Sequence, residues 1–142
     1  MTQPDVSEIL LRVNYSEVDQ MGVVYHARYI VWLDMARTEH LRARGASYRD
    51  VEARGFRLVV GELQVRYRRP ARYDDPIRVR CWVRDLASRR VTFEYAVEHA
   101  EDARLLATAT TDMMVLSEAM SPTRLPDDVR AALAGSGSSG RA

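Results

Sequence analysis

One segment limits what this chain can fold into more than any other, because from about residue 24 to residue 44 it has a helical pattern. The first two turns of this pattern are apolar on nearly every side and contain Tyr29, Ile30, Val31, Trp32, Leu33, Met35 and Ala36. A surface helix would instead show one apolar stripe that faces the core. We therefore expect this helix to be buried and expect Gly45 to end it.

The residues on both sides of this helix predict strands. Residues 8–15 form a first strand, and Ser47 with Asp50 three residues later predicts a short helix that ends before Gly55. Apolar residues then alternate with polar ones, which predicts four further strands at 56–69, 77–84, 91–97 and 105–116. A phase slip at Gly61 predicts a bulge or a kink in the first of these strands. The short connections between the last three predict antiparallel hairpins.

This order of elements predicts an α+β domain over residues 1–134. A helix that is apolar on so many sides needs a sheet to cover it, so we expect an antiparallel sheet of about five strands wrapped around one long central helix. The far side of this sheet then faces solvent or a partner, and it carries Arg78, Arg80 and Arg84. Pro126 opens a short terminal helix, and the Gly/Ser-rich residues 135–142 predict a flexible tail.

Composition excludes several classes of function. The chain has 142 residues, and its 21 basic residues, all arginine, balance 20 acidic ones to a net charge of +1, too little for nucleic-acid binding by bulk charge. The absence of lysine excludes Schiff-base chemistry. The single cysteine, Cys81, excludes an internal disulfide, and the three histidines lack metal-ligand spacing, so we expect no metal. With no apolar run long enough for a membrane span and no secretory signal, we expect a cytoplasmic protein.

The residues that suggest chemistry lie between the first strand and the long helix. Asp19 precedes the helix, and Gly22 between them permits an unusual backbone turn. The helix begins near Tyr25 and His26 with no Ser, Thr, Asp or Asn to cap it, which leaves its first N–H groups free for a ligand oxygen. A carboxylate beside such amides can attack a carbonyl carbon or activate water. The segment therefore predicts acyl transfer or hydrolysis without serine or cysteine.

Each of these residues also has an interpretation without function. Asp19 can cap the turn or the helix, as aspartates before helices often do. His26 can be a packed or solvent-facing side chain, and Tyr15 and Tyr29 can be core aromatics. Cys81 lies among inward-facing aliphatic residues and is interpreted as a small core hydrophobe.

Three stretches of this sequence resemble a known family. The first is Tyr15-x3-Asp19-x2-Gly22-Val-Val-Tyr-His26-x2-Tyr29, followed by Ala36-Arg-Thr-Glu39. The others are Val65-x-Tyr67-x2-Pro70-Ala-x-Tyr73-x-Asp75 and Arg90-Val-Thr-Phe93-x-Tyr95. Together they resemble hotdog-fold acyl-CoA thioesterases of the 4-hydroxybenzoyl-CoA thioesterase family, particularly its Tol–Pal-associated (YbgC-type) branch. The resemblance covers residues 8 to 118.

The resemblance implies a hotdog fold and roles for particular residues. Asp19 would be the catalytic nucleophile or general base, supported by His26 and Tyr15, while a backbone N–H near His26 polarises the thioester carbonyl. Substrate contacts would come from Gly22, Val24, Tyr25 and Tyr29, and contacts with the phosphates of coenzyme A from Arg89 and Arg90. Coenzyme A would be part of the substrate, so no cofactor is implied.

The family also assembles its sites at a dimer interface, often within tetramers, so the resemblance implies a homo-oligomer, dimer or homotetramer. Trp32 and Met35, on the apolar helix, would line or back the acyl channel; the alternative is that both belong only to the core. Gln20 and Met21 depart from the small residues that the family often has after the aspartate, which leaves the acyl group open. A second basic cluster contains Arg66, Arg68, Arg69 and Arg72. At least half of the arginines in the two clusters are interpreted as solvated strand edges without a role in binding.

Two alternatives to an acyl-CoA thioesterase remain at this point. One is a thioesterase for acyl groups on acyl-carrier protein, and the other is a hotdog protein that binds acyl-CoA without turnover. A hotdog dehydratase fits less well, because Asp19 and His26 do not form the acid–base pair that hydration requires.

Overall fold

The computed structural model describes the backbone of residues 5–140 and the side chains of residues 5–134. Within residues 5–140 the chain forms five β-strands, a short 3₁₀ turn and three α-helices. In chain order the elements are β1 (Ser7–Arg12), the 3₁₀ turn (Tyr15–Glu17), α1 (Arg28–Ala43), α2 (Tyr48–Ala53), β2 (Phe56–Tyr67), β3 (Pro76–Leu86), β4 (Arg90–His99), β5 (Leu105–Ser117) and α3 (Asp127–Gly140).

The five strands form one antiparallel sheet in the order β1-β3-β4-β5-β2. This confirms the predicted antiparallel sheet, including the two hairpins. The pairing of β2 with β5 shifts register between Val60 and Glu62, so the bulge predicted at Gly61 is present. Strand β2 lies at an edge of the sheet, next to β5 alone.

Helix α1 packs one face against the sheet and leaves the other exposed. The packed face contains Trp32, Leu33, Ala36 and Leu41, all at most 1% exposed. The opposite face contains Ile30, Val31 and Met35, which are 39–47% exposed. The prediction that this helix is buried on nearly every side was therefore wrong for the chain alone, because the sheet covers only one side of it.

A buried arginine joins α1 to the sheet. The Arg37 guanidinium, 5% exposed, donates to the hydroxyl of Tyr48 at 2.6 Å and to that of Tyr95 at 3.1 Å, and it pairs with Asp34. The Tyr95 hydroxyl also bonds the Thr111 hydroxyl at 2.8 Å. Because an unpaired buried charge is costly, these partners hold α1 at one angular position on the sheet.

The far face of the sheet carries the predicted arginines in cross-strand ion pairs. Arg78 lies 3.3 Å from Glu98, and Arg84 lies 3.1 Å from Glu94. Cys81, on the opposite face of β3, is fully buried as expected, and burial raises the pKa of its thiol to about 12.

The ends of the helices follow their local sequence. Gly45 adopts φ +73° just after α1, and the Ser47 hydroxyl accepts the N–H of Asp50 at the start of α2. Helix α3 runs to Gly140. The side chains of residues 135–140 and the whole of residues 141–142 lie outside the described part of the chain. The flexible tail expected at 135–142 therefore stays a prediction. None of the helices in the described part has the length and apolarity that a membrane crossing requires.

Burial of His40 makes the stability of the fold depend on pH. His40 is 1% exposed, its ring lies edge-on to Phe93, and loss of solvation, followed by the Arg44 charge, lowers its pKa from 6.5 to about 4. The unfolded chain therefore takes up a proton below about pH 6.5 that the folded chain binds only near pH 4. The free energy of unfolding should thus fall as the pH drops through this range.

We predict that replacing His40 with glutamine flattens this dependence, since glutamine does not titrate. Urea denaturation of both chains at several pH values between 7 and 5 measures the difference. Parallel curves for the two chains would show that His40 is not buried in its neutral form.

Candidate active site

Backbone hydrogen bonds fix the loop between β1 and α1. The Asp19 N–H donates to the Val23 carbonyl and the Tyr25 N–H to the Glu17 carbonyl, each at 2.9 Å, which closes the loop on itself. The Val24 N–H donates to the Ala71 carbonyl at 2.9 Å and so ties the loop to the connection between β2 and β3. Backbone hydrogen bonds therefore give this loop a defined conformation within the fold.

Asp19 stands at the first position of a tight turn in this loop. Its Oδ1 accepts the Met21 N–H at 2.8 Å, and its carbonyl accepts the Gly22 N–H at 3.0 Å. Gly22 has φ +78°, in the left-handed region that favours glycine. The capping alternative is therefore correct as far as the turn is concerned. It uses only one carboxylate oxygen, and Oδ2 accepts no hydrogen bond from the described residues.

Helix α1 begins without a side-chain cap. Its N-cap residue is Ala27, so the first helical residue is Arg28, later than the predicted start at Tyr25 and His26. Among the hydrogen bonds of the described residues, none uses the amide N–H of His26 or of Ala27. These two amides therefore lie at the positive end of the helix dipole and are available to an anion or a polarised carbonyl.

The neighbouring carbonyls show which way these amides point. The Tyr25 carbonyl accepts the Arg28 N–H at 2.9 Å, and the His26 carbonyl accepts the Tyr67 hydroxyl at 2.8 Å. Because both peptides are trans, the N–H of His26 and that of Ala27 point away from those partners. Tyr67, on the edge strand β2, thus orients the peptide that carries the Ala27 N–H.

His26 and Tyr15, which were predicted to support Asp19, are both exposed, and each packs against another aromatic ring. The His26 ring is exposed, 4.5 Å from the Tyr25 ring between centroids, and no hydrogen bond joins it to Asp19 among the described contacts. Tyr15 is 74% exposed and packs edge-on against Tyr73 at 5.5 Å. The alternative that Tyr15 is a core aromatic was therefore wrong, since β1 ends at Arg12 and Tyr15 lies in the 3₁₀ turn.

The residues predicted to contact substrate divide into buried and exposed sets. Tyr29 is 3% exposed, its hydroxyl accepts the Ala71 N–H at 3.1 Å, and burial raises its pKa, so it is a core aromatic. Val24 is also buried. Gly22 and Tyr25 are exposed, and Tyr25 with Tyr67, each about half exposed, flanks the start of α1.

The structure places Arg89 and Arg90 far from Asp19 within one chain. Arg90 pairs with Met114 on β5, whereas Tyr67, which contacts His26, pairs with Ala107 on the same strand. Seven residues of strand separate these positions by about 23 Å. Of the residues predicted for the acyl channel, Trp32 is buried in the core and Met35 is on the exposed face of α1.

Sequence reasoning missed two residues that hold this region together. Glu17, 8% exposed, accepts the Asn14 N–H at 2.8 Å and the Trp32 indole N–H at 3.0 Å. The spacing Asn14-x-x-Glu17 is a capping-box signal, which is present at the 3₁₀ turn and could have been found. The contact of Tyr67 with His26 had no such signal, because the two residues are far apart in sequence.

Known proteins are similar in sequence to most of this chain. The model of the thioesterase-like superfamily matches residues 13–133. The acyl-CoA thioester hydrolase YbgC of Escherichia coli O6:H1 is 31% identical over 84% of this chain and 89% of its own length.

Two solved structures share the fold over most of their length. A structure of the protein TT1821 from Thermus thermophilus is 38% identical, with a TM-score of 0.85, over 90% of this chain and 97% of that one. The DHNA-CoA thioesterase of Staphylococcus aureus is 30% identical, with a TM-score of 0.80, over 84% of this chain and 80% of that one. The chain belongs to the thioesterase-like superfamily and has its hotdog fold.

Proposed function

We propose that this protein hydrolyses acyl-CoA thioesters in the space between the Asp19 carboxylate and the amides of His26 and Ala27. The observation that carries the proposal is the uncapped start of α1, with two amides that lack partners among the described residues, in the same loop as a partly exposed carboxylate. Membership of a thioesterase superfamily, with a relative named acyl-CoA thioester hydrolase, makes the chain a thioester hydrolase.

The amides supply the electrostatic part of the reaction. As an oxygen nucleophile adds to the thioester carbon, negative charge develops on the carbonyl oxygen, which the N–H of His26 or Ala27 and the helix dipole stabilise. The tetrahedral intermediate then expels the thiolate of coenzyme A, a far better leaving group than an alkoxide. The site needs no strong general acid for this reason.

Asp19 supplies the oxygen that begins the reaction, by one of two routes. As a general base it takes a proton from water, whose oxygen forms the new C–O bond; the C–S bond breaks when the tetrahedral intermediate expels the thiolate. As a nucleophile it forms a mixed anhydride and releases the thiolate, and water then hydrolyses the anhydride. In both routes the products are the free acid and coenzyme A, which enters as part of the substrate, so no separate cofactor is proposed.

A second copy of the chain would complete the site. Strand β2 is an edge strand of 12 residues with Val60 and Tyr67 half exposed on it, a surface suited to pairing with another strand. Antiparallel pairing of two β2 strands brings the beginning of one beside the end of the other. Arg89 and Arg90 of one copy would then approach Asp19 of the other and bind the phosphates of coenzyme A. We propose a homodimer, within a homotetramer or alone, in the cytoplasm, where Cys81 stays reduced.

We predict that Asp19→Asn lowers kcat by about 100-fold or more, because the variant loses the only activated oxygen of the proposed mechanism. Asparagine keeps a side-chain oxygen for the Met21 N–H, so the turn and the fold should survive. Release of free thiol from short-chain, long-chain and aromatic acyl-CoAs, and from an acyl-carrier-protein thioester, measures the activity and the preferred carrier.

Circular dichroism and the unfolding midpoint provide the control for this variant. Turnover of Asp19→Asn at the wild-type rate would exclude both roles of Asp19. Binding of acyl-CoA by the wild-type protein with no thiol release from any substrate would instead indicate a non-catalytic binding protein.

We predict that Gly22→Ala disturbs the site while Gly45→Ala does not. Both glycines have positive φ, +78° and +73°, and open space where a Cβ would lie, so each alanine should cost about 1 kcal/mol of stability through backbone strain alone. Only the first strains the turn that holds Asp19. Urea denaturation should give similar losses, and only Gly22→Ala should lower kcat/KM; equal kcat/KM for the two would contradict the proposed role of the turn.

A mixture of two inactive variants tests the shared site. The Asp19→Asn variant lacks the carboxylate of the site, and the Arg89→Ala/Arg90→Ala variant lacks the arginines. In a mixed dimer, one of the two sites combines the intact Asp19 of one copy with the intact arginines of the other and is complete. Subunits exchanged in equal amounts should recover about a quarter of the wild-type activity, because half of the dimers are mixed. No recovery in dimers shown to be mixed would mean that Asp19 and these arginines do not act in one site.

A further inference from the structure

The side chain of Glu17 is a buried carboxylate with three partners. Its Oε1 accepts the Asn14 N–H at 2.8 Å, and its Oε2 accepts the Trp32 indole N–H at 3.0 Å and lies 3.7 Å from the Arg28 guanidinium. The residue is only 8% exposed. Removing a carboxylate from water is costly, and these donors offset the cost only while all of them stay in place.

The partners of Glu17 lie both in the loop just before the His26 amide and in helix α1. Its backbone carbonyl accepts the Tyr25 N–H at 2.9 Å, immediately before the His26 amide. Its side chain reaches Trp32, which is 1% exposed and anchored in the core by α1. Only Val18 separates Glu17 from Asp19 along the chain. One residue therefore connects the part of the loop that carries Asp19 with the start of α1, where the open amides lie.

Both oxygens of Glu17 are engaged inside the protein, which argues against a direct chemical role. A general base or nucleophile needs a free oxygen within reach of the substrate. Asp19, by contrast, uses one oxygen in its turn and is partly exposed. The two carboxylates thus differ in what they can do.

We propose that Glu17 is a positioning residue for thioester hydrolysis, which holds Asp19 at a fixed separation from the amides of His26 and Ala27. This inference rests on the proposed function. Displacing a reacting group by about 1 Å can reduce the rate about 100-fold, so a residue that sets this separation should act mainly on kcat. Substrate binding through coenzyme A should change little.

The chain contains a matched control on the far face of its sheet. Glu94 accepts the Trp82 indole N–H at 3.0 Å and lies 3.1 Å from Arg84, so it makes the same kinds of contact as Glu17. It points away from α1 and has no part in the proposed site. Glutamine at either position keeps the side-chain shape and removes the negative charge.

The experiment compares Glu17→Gln with Glu94→Gln in the full chain, using the best acyl-CoA of the substrate panel. We expect Glu17→Gln to lower kcat about 10- to 100-fold with KM within about threefold of wild type. Glu94→Gln should keep the wild-type kcat, although both variants lower the unfolding midpoint. A kcat within twofold of wild type for folded Glu17→Gln, or equal losses in the two variants, would overturn the inference.

If Glu17→Gln does not fold, a second variant tests the positioning role of Glu17. Trp32→Phe removes the indole N–H and keeps an aromatic ring in the core, so it should lower kcat at least threefold with KM unchanged; an unchanged kcat would overturn the inference. If the wild-type protein is active and both variants keep its kcat, the positioning role of Glu17 is contradicted and the proposed function is not. A wild-type protein that releases no thiol from any substrate contradicts the proposed function, and the inference with it.

Discussion

The packing of one face of α1 against the sheet determines where the helix begins, and the candidate site depends on that point. Trp32, Leu33, Ala36 and Leu41 are buried beneath the helix, and Arg37 is bound to Tyr95 of β4. A helix held in this way can be neither rotated nor shifted along its axis without opening the core. The core therefore holds the amides of His26 and Ala27 in place although no side chain caps them.

The uncapped helix start and the buried Glu17 each carry a local cost in stability, although the Glu17 side chain also completes the capping box of the 3₁₀ turn. A missing N-cap typically costs about 1 kcal/mol, and a buried carboxylate needs several donors to be tolerated. Such local costs tend to occur where a site must meet a ligand. Here they occur within a dozen residues of one another, in the loop that precedes α1 and at the start of that helix.

Much of the fold could be predicted because alternation and turn residues are local signals. The strands, the bulge at Gly61 and the cap at Ser47 all follow from a few neighbouring residues. The prediction failed for the outer face of α1, since an apolar pattern shows that a surface avoids water and does not show what covers it. Ile30, Val31 and Met35 remain exposed in the single chain.

The candidate site was only partly predictable for the same reason. Asp19, Gly22 and the uncapped helix lie in one segment, so their spacing is visible in the sequence. The hydroxyl of Tyr67 on the His26 carbonyl is not, because the fold brings these residues together from separate elements. The separation of Arg90 from Asp19 likewise becomes visible only once the strand register is known.

A crystal structure of the Asp19→Asn variant with an intact acyl-CoA tests the central claim most directly. We expect the thioester oxygen to lie about 3 Å from the amide nitrogen of His26 or Ala27, with the side chain of residue 19 facing the carbonyl carbon. A thioester bound elsewhere, with those amides facing solvent, would contradict it.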